Sequence, residues 1–287
     1  LWSSTVALTR SITEKAGPFT AAGCVCLLSG IMGIIFFGIK GGFISQLKAL
    51  PLRYIFSGGT FFVLHLTVFY LAMSLAKNRH EVLQLGLINY LWCFFTILFS
   101  LHFLNKKAHL LLVPATLLAM FGVFLVVAQG SSLTIGGFVE NLAKNPVAYG
   151  LILAGAICWA LYSNLSSLFA VHGCNSAVSI FLSAAGLMLL CVKFIHGEQS
   201  QWNVHTMTEI LAMSFISILA YNCWDIGMRK GNMVLIAAGS YLIPFFSVLF
   251  SCIYLNVMAG LSLWLGCIFI IAGAFMSWLS VTEKNSN

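Results

Sequence analysis

Apolar residues run through this chain in ten long stretches, separated by short connections that hold most of its charge. A helix rises 1.5 Å per residue, so crossing a hydrocarbon layer about 30 Å thick takes about 20 residues. The stretches predict spans near residues 1–13, 19–40, 54–76, 81–104, 108–128, 146–169, 177–195, 207–229, 232–255 and 259–281. Only 7% of residues are charged and 60% are apolar, whereas soluble domains carry about a quarter charged residues. Continuous runs favour helices, which satisfy every backbone group within one segment, over strands of alternating polarity. The first run is short and the chain opens on Leu1, so its first helix is expected to lack its start. No cleavable signal peptide is visible.

A second feature organises these spans. NYLWCFFTILFS at 89–100 returns as SYLIPFFSVLFS at 240–251, identical at seven of twelve positions with an offset of 151. The same offset aligns Tyr70 with Tyr221, Gly122 with Gly273 and Phe124 with Phe275, and a small shift aligns Trp2 with Trp159. A fixed offset marks a duplicated architecture. Five spans per copy is an odd number, so the second copy enters the membrane upside down. The expected fold is an all-α integral membrane protein of ten transmembrane helices in two inverted five-helix repeats, residues 1–130 and 146–287. Residues 131–145, within the polar stretch QGSSLTIGGFVENLAKNP, are expected to form a connecting loop. In carriers built this way the substrate site lies near the midplane, where the halves meet.

The net charge of +7 is scattered over short connections, which excludes a basic groove for nucleic acid. Eight Lys and Arg fall on the side of the termini, with Lys40, Lys48 and Arg53 the densest group, against six on the other. That bias predicts both termini in the cytoplasm. Nine cysteines occur without C-x-x-C pairing or the His spacing of a metal site, and read as small hydrophobes with no metal or cofactor to hold. Neither a phosphate-binding loop, a nucleophile elbow nor H-E-x-x-H is present. The pattern therefore points away from an enzyme and towards secondary or facilitated movement of a small molecule across a lipid bilayer, by a monomer or weak homo-oligomer.

Polar and aromatic residues at depth carry the remaining information, since charge there is costly. His65 reads either as a cavity ligand or coupling group, or as a neutral ring bonded to a backbone carbonyl. Asp225 and Arg229 stand four apart and read as an interfacial pair, with coupling as the other role for Asp225. Glu81 suits the start of a helix. Trp2 with Trp159, Tyr70 with Tyr221 and Tyr90 with Tyr241 recur in both halves and are expected to line their junction, joined by Trp92 and Tyr162. Gly86, Gly239 and Pro244 are candidate hinges, and Pro244 would free the carbonyl of Ser240. Gly30, Gly33 and Gly273 sit in small-residue patterns expected to let helices pack closely.

The opening LWSSTVALTRSITEKAGP, GLINYLWCFFTILF from residue 86, AICWALYS around Trp159 and KGNMVLIAAGSYLIPFFS from residue 230 resemble the bacterial aromatic amino acid exporters. These are the EamA-type branch of the drug/metabolite transporter superfamily. The resemblance covers nearly the whole chain. It implies an inner-membrane carrier with cytoplasmic termini that exports aromatic and other neutral amino acids, sometimes toxic cations such as paraquat, by alternating access. It adds Asn89 and Ser240 to the candidate lining. The chain departs from the exporters at Cys93, where they carry Pro, at Gln84, near which they carry an acid, and at His65 and Leu66, where they carry Tyr-Glu. Asp225 stands where they have an uncharged polar residue. An acid moved from the third span to the eighth changes the substrate charge accepted, and relatives in the superfamily carry S-adenosylmethionine, nucleotide precursors or drugs.

Overall fold

The computed structural model describes residues 1–39, 41, 43–103, 107–127, 134–169, 177–230, 240 and 242–282. A 3₁₀ turn at Trp2–Ser4 leads into α1, Thr5–Ala16, followed by α2, Pro18–Ile39, and a short α3, Phe43–Lys48. Helical turns then run as α4 through Leu52–Leu75, with a π turn at Ile55–Gly59. Next come α5, Arg79–Asn89; α6, Trp92–Phe103; α7, Leu112–Val127; and α8, Ile135–Lys144. The remaining helices are α9, Pro146–Phe169; α10, Ala177–His196; α11, Val204–Lys230; α12, Ile243–Tyr254; and α13, Leu261–Leu279. Lys107–Ala108 pairs antiparallel with Val281–Thr282 in a two-residue bridge.

Among the described residues, seven stretches are long and apolar enough to cross a membrane, α5 and α6 counting as one, while α7 and α12 are apolar but shorter. Large apolar side chains such as Ile35, Phe36, Phe194 and Ile253 cover the outward faces, which suits contact with lipid and not water. Residues 232–239 and 241 of the ninth expected span lie outside the described residues. Three details differ from the sequence reading. The fourth span is two helices broken at Tyr90–Leu91, the connector read as a loop contains α8, and α3 interrupts the connection before the third span.

Helix starts follow from local chemistry. Asn78 precedes α5 and its Oδ1 accepts from the Glu81 N–H at 2.9 Å. Asn203 does the same for α11 through the Thr206 N–H at 2.7 Å. Each satisfies a donor that the first helical turn leaves free. At α2, Pro18 fills the first turn and the Glu198 carboxylate, brought from the α10–α11 connection, accepts from the N–H groups of Phe19 and Thr20 at 3.0 and 2.8 Å.

The most extensive helix pairs are α2 with α10 and α7 with α13. Both approach through small residues. A Cβ on Gly122 would stand 2.8 Å from the Gly266 carbonyl, and one on Gly273 would stand 2.8 Å from the Ala115 carbonyl. At the other crossing, a Cβ on Gly30 would meet Ser183, and one on Gly186 would meet the backbone of Leu27. Without a hydrophobic drive between helices in lipid, such backbone-to-backbone packing is the main source of cohesion.

Candidate functional site

The π turn and the break at Tyr90–Leu91 bring irregular backbone into the middle of the bundle, and the largest side chains gather around it. Trp159 and Tyr162 lie three apart on one face of α9, as do Tyr221 and Trp224 on α11. Trp2 enters from the 3₁₀ turn, where the Thr5 hydroxyl donates to its carbonyl at 2.7 Å. Ring centroids of Trp159 lie 5.5 Å from Trp2, 5.5 Å from Tyr221, 5.2 Å from Tyr162 and 5.0 Å from His65. Trp92 stands 6.2 Å from Trp2 and 5.1 Å from Trp224, near perpendicular to both. Edge-to-face pairs like these contribute about 0.5–1.5 kcal/mol beyond their burial.

Eight of the residues singled out from the sequence, Trp2, His65, Tyr70, Asn89, Tyr90, Trp92, Trp159 and Tyr221, line a single void of about 50 Å³. Tyr162 packs behind it on Trp159 and Phe62. Ser240 lines a neighbouring cavity of about 330 Å³ together with Trp224, and Trp2 borders both. Tyr241 and Gly239 lie outside the described residues. Trp224 was missed because its counterpart 151 residues earlier is Met73, so the duplication gave no signal; its spacing from Tyr221 was the available clue. Tyr54 was missed for the same reason.

His65 makes the backbone-carbonyl bond that was one of its two readings. Its Nδ1 lies 2.9 Å from the Gly155 carbonyl, and its ring also borders the void. A carbonyl only accepts, so Nδ1 carries the proton and Nε2 is left as an acceptor. Asp225 is buried at 1% exposure. Hydroxyls of Tyr54, Tyr162 and Ser166 lie 3.3, 3.3 and 3.2 Å from its Oδ1. The Arg229 side chain is outside the described residues.

The candidate hinges take different positions. Gly86 lies inside regular α5, packed on Val6; the span breaks four residues later. Pro244 falls in the first turn of α12, where its missing N–H costs nothing. Glu81 begins α5 as expected, and its carboxylate accepts from the Lys77 N–H at 2.6 Å and the Asn145 amide at 2.9 Å. Gln84 donates to the Val126 carbonyl and accepts from the Tyr149 hydroxyl at 2.7 Å.

One end of the bundle is bound by polar contacts. Glu14 pairs with Arg10 at 2.8 Å and Arg79 at 3.0 Å, and Arg79 donates onward to the Leu255 carbonyl at 2.8 Å. Partial burial raises the Glu14 pKa, but hydrogen bonds from Arg79 and Arg10 outweigh it and hold the carboxyl below its ordinary value. Beside this, Glu209 is buried and accepts from Ser11 at 2.6 Å and from Tyr254, with His205 at 3.3 Å. These contacts tie α1 to α5, α11 and α12.

The EamA-like transporter family matches residues 1–128 and again residues 146–279. The chain belongs to that family. It is a multi-pass membrane transporter. It is 29% identical to the aromatic amino acid exporter YddG of Escherichia coli over 98% of this chain and 94% of that protein. It is also 29% identical to the exporter of the same name in Ancylobacter novellus, over 97% and 93%. The uncharacterized inner membrane transporter YedA of Escherichia coli is 27% identical over 87% of this chain and 78% of its own length. A solved structure at 26% identity superposes with a TM-score of 0.71, covering 98% of this chain and 93% of that one.

Proposed function

We propose that the chain is a secondary carrier that exports aromatic and other neutral amino acids by alternating access through the ring-lined chamber. The observation carrying this reading is that indoles and phenols from both halves of the sequence, Trp2 and Trp92 with Trp159 and Tyr221, converge on one void inside an apolar bundle. The names of the 29% identical exporters point the same way.

The proposal takes the halves as residues 1–130 and 146–287 joined by 131–145, inverted with respect to each other, with ten spans and both termini in the cytoplasm. Three findings support it. The family match falls in two blocks, one inside each half and starting where that half starts. Helices α6 and α12 have bounds 151 apart at both ends, Trp92 to Ile243 and Phe103 to Tyr254. The same offset carries the Gly122–Gly266 contact onto Gly273–Ala115, and an offset of 156 carries Gly30–Ser183 onto Gly186–Leu27. A pair that maps onto itself with its members exchanged lies on a two-fold axis.

The mechanism follows from size. A void of about 50 Å³ is far below the roughly 300 Å³ of small-molecule sites, so the rings here fill each other's place. An incoming aromatic side chain exchanges one set of ring contacts for another. That near balance lets the cargo leave as readily as it enters. The polar contacts at Glu14 and Glu209 keep one end shut meanwhile, and their release at the other stage of the cycle opens it. Uptake of radiolabelled phenylalanine into liposomes holding only the purified chain, without ATP, tests the reading. Saturable uptake above empty liposomes is expected, and uptake equal to the control refutes it.

A further inference from the structure

We infer that the chamber recognises its cargo by the ammonium group and not by the carboxylate, so that primary arylalkylamines lacking a carboxylate are also carried. The inference rests on the chamber being the substrate site. Three acceptors meet there. In the break between α5 and α6 the hydrogen-bond ladder tightens, with Tyr90 N–H donating to Leu87 at 3.1 Å, Leu91 to Ile88 at 3.0 Å and Cys93 to Tyr90 at 3.2 Å. A continuous helix would send the Cys93 N–H to the Asn89 carbonyl, which is thereby released as an acceptor. The side chain of Asn89 is 8% exposed and its Oδ1 is buried without a hydrogen-bond partner. An unmatched buried acceptor is expensive, so its presence in a chamber wall points to a donor supplied by a ligand. His65 adds Nε2, an acceptor because Nδ1 is committed to Gly155.

The electrostatics agree. Trp2, Trp92 and Trp159 line the same void, and indole rings attract an ammonium group that reaches their faces. Among the described residues lining the void there is no Lys or Arg to meet a carboxylate. An amine therefore finds charge-assisted bonds and ring faces, while an aromatic acid without an amino group leaves the acceptors unmatched.

Competition against phenylalanine uptake by 2-phenylethylamine and by 3-phenylpropionate tests this. The amine is expected to compete within about threefold of unlabelled phenylalanine and the acid at least about tenfold more weakly, the usual sense when a site built around a hydrogen bond meets an analogue lacking it. An acid that competes as well as the amine, or an amine that fails while phenylalanine is carried, overturns the inference and leaves the proposed function standing. Thermal stabilisation of the purified full chain by the same three compounds decides the matter independently of flux. Stabilisation by the amine and not the acid upholds amine recognition even where no flux appears, and stabilisation by the acid alone or by none of them refutes it. In Asn89→Leu the amine should bind about tenfold more weakly while the ligand-free protein is no less stable, since an unmatched buried acceptor has been removed. Unchanged amine affinity in that variant counts against the assignment.

Discussion

The glycine-lined crossings and the ring-lined chamber sit in the same bundle but are packed by opposite rules. At α2–α10 and α7–α13 backbone meets backbone, and a single added Cβ has nowhere to go. In the chamber, bulky rings touch one another edge to face, a small void remains, and an acceptor at Asn89 goes unmatched. Close backbone packing has one good arrangement, whereas rings on rotatable side chains have several of similar energy. The difference assigns the scaffold to the crossings and movement to the centre. It also gives the two regions separate sensitivities to mutation.

The largest expected effect is at a crossing. Gly186→Val places a branched side chain against the Leu27 backbone, and overpacking of a site that cannot yield costs about 3 kcal/mol or more. Size-exclusion of the detergent-extracted protein should find little folded material; normal recovery would erase the distinction between the regions. Next is Trp159→Ala, which should cut phenylalanine flux by more than about tenfold while membrane abundance holds, because neighbouring rings can fold into the space left. Flux that survives this change would place the cargo elsewhere. A smaller effect is expected of Glu209→Gln, which keeps shape but weakens the bonds from Ser11 and Tyr254. A loss of about 1 kcal/mol shifts the closed-to-open ratio about fivefold, measurable as a change in half-saturation with little change in thermal stability.

The smallest effect is that of pH at Glu14. Its carboxyl titrates below the ordinary value once folded, so its contribution is complete above that value and is lost as pH falls through the lowered one. The stability difference between the protein and Arg79→Ala should be flat from pH 8 to 5 and shrink below about pH 4. A difference that changes between pH 8 and 6 would mean another group governs that end.

Much of this was legible in the sequence for a physical reason. Apolar length and an exact repeat offset are properties of linear order, so spans, the paired Gly122 and Gly273, and the gathering of Trp2, Tyr90 and Trp159 could be read directly. What stayed hidden depends on three-dimensional neighbours. The break at Tyr90–Leu91 has no proline to announce it, since the Pro of the duplicate, Pro244, is matched by Cys93. The hydroxyls of Tyr54 and Tyr162 around Asp225 arrive from other helices, which hydropathy along one helix does not count. Trp224 fell outside the repeat and was found only through its contacts.

Hydrogen exchange of the purified chain with and without phenylalanine tests the division between scaffold and moving centre most directly. Amides of residues 119–126 and 266–273 should stay protected in both conditions, while those from Tyr90 to Phe95 and around Glu209 change protection when the amino acid is added. A protection change spread evenly over crossings and chamber, or one confined to the crossings, would contradict the account.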